Sequence, residues 1–143
     1  MANQLYNLKI PVKNLNESAS FYQRVFEFLG FNRGRLYDDP IDKKKTLVMG
    51  NGFLYIELVE EPGLVPKTDL TSICGPRMEF LASNKEEVDL FFDHLVKNNV
   101  QILLKPQFLF QELLGSDDYW YAVYFADCNG MKFGLVFTPK DIR

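Results

Sequence analysis

Two weak copies of one unit lie end to end in this chain, and that repeat limits the possible folds more than any other feature. Copy one reads as a strand (Leu5 to Val12), a helix from Asn14, then strands ending in Tyr55-Ile56-Glu57-Leu58-Val59. Copy two reads as a strand (Arg77 to Ala82), a helix from Asn84, then strands ending in Lys132-Phe133-Gly134-Leu135-Val136. Asn7 and Arg77 each stand seven residues before their helix cap, and each copy has an Asn-Gly turn before its last strand, Asn51-Gly52 and Asn129-Gly130. The expected fold class is therefore α+β, a duplicated βαβββ module forming a curved mixed sheet around a cleft. The first copy is expected over 4–60, a Pro- and Gly-bearing linker over 61–74, and the second copy over 75–139, within a single domain of 143 residues.

Helical periodicity supports both copies. Asn14 caps the first helix with Glu17 three residues on, and Leu15, Ala19, Tyr22, Val25, Phe26 and Leu29 fall on one apolar face before Gly30 ends it. Ser83 or Asn84 caps the second, whose stripe is Val88, Phe91, Phe92, Leu95 and Val96. Strands are predicted near Asn32 to Tyr37, Thr46 to Met49 and Phe53 to Val59 in copy one. In copy two they are predicted over Val100 to Leu104, Tyr119 to Ala126 and Met131 to Thr138. Pro106 to Asp118 reads as an irregular loop, a candidate lid or contact surface that holds Phe108, Phe110, Asp117 and Asp118.

Charge and composition narrow the partners. A formal charge of −3 and a pI near 5.2 argue against nucleic acid, which needs a basic surface. The one basic run, Lys43-Lys44-Lys45, follows acidic residues and reads as a solvated loop. No apolar run approaches the roughly 18 residues of a membrane span. The N-terminus carries no basic segment followed by an apolar one. Cys74 and Cys128 lack metal-type spacing and are expected as reduced thiols. A cytoplasmic protein with no nucleic-acid or membrane partner is the expectation.

The run Val12-Lys13-Asn14-Leu15-Asn16-Glu17-Ser18-Ala19-Ser20-Phe21-Tyr22, closed by Phe28-Leu29-Gly30-Phe31, resembles the first motif of the vicinal oxygen chelate superfamily, the glyoxalase, bleomycin-resistance and extradiol dioxygenase group. Ala126-Asp127-Cys128-Asn129-Gly130-Met131-Lys132-Phe133-Gly134-Leu135 resembles its closing hairpin, with Cys128 where proline is usual. The resemblance implies a homodimer. It also implies four cleft-facing metal-ligand positions, one on each first strand and one on each last strand, which correspond here to Asn7, Glu57, Arg77 and Gly134. Only Glu57 is a competent ligand. Asn7 offers a weak carbonyl oxygen, Gly134 has no side chain, and Arg77 is a permanent cation. A slip of register at the second first strand brings Met78, or at two places Glu79, but no histidine. His94, the single histidine, falls mid-helix. A divalent ion needs three or four converging donors, so neither a metal nor another cofactor is expected.

The first functional expectation is a metal-free small-molecule binding protein, similar in architecture to the bleomycin-sequestering branch; a structural or regulatory partner protein that uses the Pro106 to Asp118 loop is a third. Trp120 and Tyr124 share one strand face with Ala122, while Tyr119, Tyr121, Val123 and Phe125 share the other. Phe53 and Tyr55 are placed beside Glu57 by alternation. The predicted ligand-binding set is Asn7, Phe53, Tyr55, Glu57, Arg77, Trp120 and Tyr124, holding a planar or apolar ligand with no catalytic residue. Arg77 is expected to hold an anionic ligand group, to pair structurally with Glu57, or to point to solvent. The alternative is a metal-dependent glyoxalase- or dioxygenase-type enzyme, a lyase or an oxidoreductase.

Overall fold

Both helices begin where an asparagine side chain replaces a missing backbone acceptor. In the computed structural model, which describes residues 4–32, 34–65, 76–109 and 119–139, Asn14 Oδ1 accepts from Glu17 N at 3.0 Å and Asn84 Oδ1 from Glu87 N at 2.8 Å. The chain divides into two units, Met1–Pro66 and Lys67–Arg143. No described helix is long and apolar enough to cross a membrane.

Unit 1 holds β1 (Asn7–Val12), α1 (Leu15–Phe26), a short 3₁₀ turn, β2 (Arg35–Asp38), β3 (Lys45–Gly50) and β4 (Tyr55–Glu60). The sheet order is β1-β4-β3-β2, with β1 parallel to β4 and the other pairs antiparallel. Ile10, Val12, Leu47, Met49, Ile56 and Leu58 bury one sheet face with Leu15, Tyr22, Val25 and Phe26 of α1. Each such side chain contributes about 1.5–3 kcal/mol when fully buried. A one-residue slip would turn the whole row to water, so the core fixes the register. Glu60, ending β4, accepts from Leu15 N at 3.0 Å, which ties the sheet to the helix start. Gly30 closes α1 and its 3₁₀ turn at φ +84°.

Unit 2 repeats the plan with β5 (Arg77–Leu81), α2 (Lys85–Lys97), β6 (Gln101–Leu109), β7 (Trp120–Ala126) and β8 (Lys132–Phe137). Its order is β5-β8-β7-β6. Val88, Phe91 and Leu95 of α2 are buried, as are Val123, Phe125, Phe133 and Leu135 of the sheet. The Phe91–Phe125 and Phe125–Phe133 ring centroids are both 5.5 Å apart. Val96, placed on the stripe by periodicity, is 53% exposed.

Two turns and one strand differ from expectation. Asn51 Oδ1 accepts from Phe53 N and Leu54 N, with Gly52 at φ +92°. That turn takes up Phe53, so β4 starts at Tyr55 and not at Phe53. In the second turn the acceptor is Asp127, whose Oδ1 takes Asn129 N and Met131 N. The strand predicted to end at Leu104 continues to Leu109. Register shifts between Ile102 and Leu104, and between Leu104 and Gln107, carry it past Pro106. An edge strand can hold a proline at an irregularity, because the missing N–H faces no partner. Phe108 is thus a strand residue. Phe110, Asp117, Asp118 and Cys74 lie outside the described residues. Cys128 is exposed and, among the described residues, in no disulfide.

Candidate functional site

Strand alternation gives each sheet a second face, opposite its helix. In unit 1 this face carries Asn7 and Lys9 of β1. Pairing lines up Asn7, Tyr55 and Gly50 in one row, and Lys9, Glu57, Val48 and Arg35 in the next. Glu57 is the centre of the polar contacts. Asn7 Nδ2 donates to its Oε2 at 2.5 Å, and the Tyr37 hydroxyl donates to its Oε1. Both carboxylate oxygens are therefore held by neutral donors. That hydrogen bond, with burial and the Glu57 charge behind it, pushes the Tyr37 phenol up to about 12. Lys9 turns away to Asp39 at 3.2 Å and Asp42 at 3.7 Å. Its hydrogen bond to Asp39 raises its pKa. Backbone donation from Ile41, followed by the Lys9 contact, lowers that of Asp39.

A depression of about 240 Å³ is lined by Tyr6, Asn7, Val48, Tyr55 and Glu57. An adjoining one of about 310 Å³ shares Val48 and Tyr55 and adds Asn32, Arg35, Met49, Gly50 and Gly52. Tyr55 packs edge-on against Tyr6, centroids 5.2 Å apart, and remains 43% exposed. Its ring lies over Gly50, where an added Cβ would meet it at 3.0 Å. Phe53, in the turn, is 83% exposed and lines neither depression.

In unit 2 the corresponding face carries Arg77, Glu79 and Leu81. Arg77 Nε bonds Glu79 Oε1 at 3.2 Å, and its guanidinium stands 4.8 Å from the Tyr124 ring centroid. The Arg77 side chain is 29% exposed and ion-paired within its own strand. The Tyr124 hydroxyl donates to Glu79 Oε1. Burial, then that bond, raises the Tyr124 pKa far above its ordinary value. Gly134 pairs with both Glu79 and Tyr124, and a Cβ there would sit 2.5 Å from the Tyr124 ring. Tyr124, Ala122 and Val136 form an apolar cluster with Trp120, Leu103, Leu104 and Leu109. The other row, Tyr121, Val123 and Phe125, meets α2: Tyr121 OH bonds Asp89 at 2.5 Å and Phe125 packs on Phe91. His94 lies on α2, its ring 6.3 Å from that of Phe91.

The four metal-ligand positions do not fit a divalent ion. Asn7 presents its amide nitrogen to Glu57, Arg77 is a cation tied to Glu79, and the space beside Gly134 is filled by an aromatic ring. Glu57 alone supplies a carboxylate, well short of the donors a site needs. Among the described residues, no three His, Cys, Asp or Glu side chains converge on a common point. Tyr37 and Arg35 were not singled out from the sequence, and Glu79 was named there only as a register-slip alternative to Arg77. Alternation from Tyr37 was the signal that could have found Arg35.

Residues 4–134 match the family described as the Glyoxalase/Bleomycin resistance protein/Dioxygenase superfamily. The fosfomycin resistance protein FosX from Listeria monocytogenes, solved with Mn(II) and sulfate, is similar with a TM-score of 0.66 and 20% identity, over 96% of this chain and 93% of that one. A glyoxalase/bleomycin resistance protein from Albidiferax ferrireducens T118 is similar with a TM-score of 0.67 and 19% identity, over 93% and 98%. One from Alicyclobacillus acidocaldarius gives 0.67 and 13%, over 97% and 94%. None of the curated proteins matches.

Proposed function

The chain belongs to the glyoxalase/bleomycin resistance/dioxygenase superfamily, and from that premise we propose that it is a metal-free binder of a small planar organic molecule. The carrying observation is the depression beside Glu57, where Tyr6, Tyr55 and Val48 give apolar walls to a carboxylate already held by two neutral donors. Small-molecule sites combine that kind of apolar wall with a few fixed polar groups. An exposed, edge-packed tyrosine pair offers a ring face to a flat ligand. Glu57 takes the ligand's hydrogen-bond donor or cation, and no bond is made or broken.

Calorimetric titration against a panel of planar amines and neutral aromatics tests this. The expected result is saturable uptake at one site per chain, weakened about tenfold or more by Glu57→Gln and by Tyr55→Ala. Absence of uptake across the panel overturns it. So does a stoichiometric transition metal in the purified protein that disappears in Glu57→Ala. That outcome would make the chain a metal-dependent lyase or oxidoreductase.

A further inference from the structure

We infer that the ligand of unit 1 carries an anionic group as well as a donor, and that Arg35 holds the anion. The inference rests on the binding role proposed for Glu57 and names the chemical class of what binds. Arg35 belongs to the same register row as Glu57, with Val48 between them. Paired residues in a row share a face, so both project from the side that bears Tyr55. Two strand spacings separate their backbones by about 10 Å. Both depressions reach Val48 and Tyr55, one ending at Glu57 and the other at Arg35. The sheet thus presents an apolar strip with an acid at one end and a guanidinium at the other.

The state of the two charges separates them from the other ion pairs in this unit. Lys9 is matched by Asp39 and Asp42, and Lys44 by Glu61. Arg35 is exposed and, among the described residues, makes no hydrogen bond or ion pair. Glu57 is hydrogen-bonded by uncharged donors only; the Lys9 ammonium, bonded to Asp39, acts on it through space. A guanidinium left without a counter-charge at the end of an apolar depression is suited to a carboxylate, which it grips with two parallel N–H bonds. The ligand class is a flat zwitterion, with an amino group at one end of the ring system and a carboxylate at the other. The arrangement discriminates, because a molecule with only one of these groups leaves one end of the strip unpaired.

The test uses the whole chain and three matched probes: para-aminomethylbenzoate with both groups, benzylamine with the amine, and para-toluate with the carboxylate. The zwitterion is expected to bind about tenfold tighter than either single-ended probe, one charge-assisted contact in each comparison. Arg35→Gln should collapse the ratio of zwitterion to benzylamine affinity to about one. Arg35→Lys, which keeps the charge but loses the fork, should leave an intermediate ratio. Glu57→Gln should collapse the ratio of zwitterion to para-toluate affinity in the same way. Unchanged circular dichroism and unfolding midpoint confirm that each variant is folded. If benzylamine or other flat molecules bind but the zwitterion has no advantage, or its advantage survives Arg35→Gln, the inference falls and the binding role stands. If nothing in the wider panel binds, both fall together.

Discussion

In unit 1 the ring that lies over a glycine belongs to the last strand, Tyr55 over Gly50 of β3. In unit 2 the parts are exchanged, with Tyr124 on the third strand and Gly134 on the last. The glutamates are exchanged too, Glu57 on the last strand of one unit and Glu79 on the first strand of the other. In both, a tyrosine hydroxyl donates to the carboxylate. Unit 1 divides the work: Tyr37 bonds the glutamate while Tyr55 covers the glycine and stays 43% exposed. Unit 2 gives both tasks to Tyr124, which is 1% exposed, and Arg77 neutralises Glu79 beside it. A side chain held at its ring and at its hydroxyl has little left for a ligand. Separating the two tasks leaves a ring accessible beside an acid that no cation bonds, and for that reason the binding role is proposed for unit 1.

The comparison breaks most readily at the two glycines. Gly134→Ala places a Cβ 2.5 Å from a ring locked in the core, against 3.0 Å from a half-exposed ring at Gly50. Overpacking a rigid site costs about 3 kcal/mol, whereas Gly50→Ala should cost less than about 0.5 kcal/mol because Tyr55 can swing outward. Equal losses in denaturant unfolding would contradict the difference in rigidity. A smaller effect separates the hydroxyls. Tyr124→Phe removes a buried donor from Glu79 and should cost about 1–2 kcal/mol. Tyr37→Phe should cost less, because Tyr37 is only partly buried whereas Tyr124 is fully buried.

Tyr37 adds a pH signature. Its phenol is pushed up to about 12, while an unfolded tyrosine ionises near 10. The unfolded chain therefore loses this proton first. The stabilisation is complete below about pH 10 and is lost as pH rises from there towards 12. Stability measured across that window should fall less steeply in Tyr37→Phe than in the parent, and identical slopes would remove Tyr37 from the account. The smallest effect lies at the two Asn-Gly turns. A glycine nitrogen that attacks the preceding asparagine Cγ expels ammonia, and water then opens the ring. Gly52 is exposed with nothing within 4 Å of its Cβ position, whereas Gly130 is buried and its N–H is donated to Asp127 O. Peptide mass mapping of aged protein should find the one-dalton gain at Asn51 before Asn129, and the reverse order would show that the turns do not differ in this way.

The duplicated plan was legible because its signals are local: Asn14 and Asn84 as caps, Gly30 as a stop, and a glycine at each Asn-Gly turn. The site was legible only in part. Glu57 and Tyr55 follow from alternation within one strand. The bond from Tyr37 to Glu57 spans two strand pairings, so it depends on a register that no single segment encodes. Extending alternation backward from Tyr55 put Phe53 on the strand, because the backbone bonds that Asn51 accepts, which pull Phe53 into the turn, leave no periodic trace. Gly134 could be read as a missing ligand, but the reason for it could not. The Tyr124 ring fills that space from the neighbouring strand.

The passage of β6 through Pro106 has one more consequence. This strand forms one margin of its sheet, and an uninterrupted margin offers a template on which a foreign strand can grow. Here the template is broken twice within nine residues, once on each side of Leu104, and a proline withholds one donor. A second polypeptide that aligned with either end would fall out of step within a few residues, so this margin is a poorer template than a straight one.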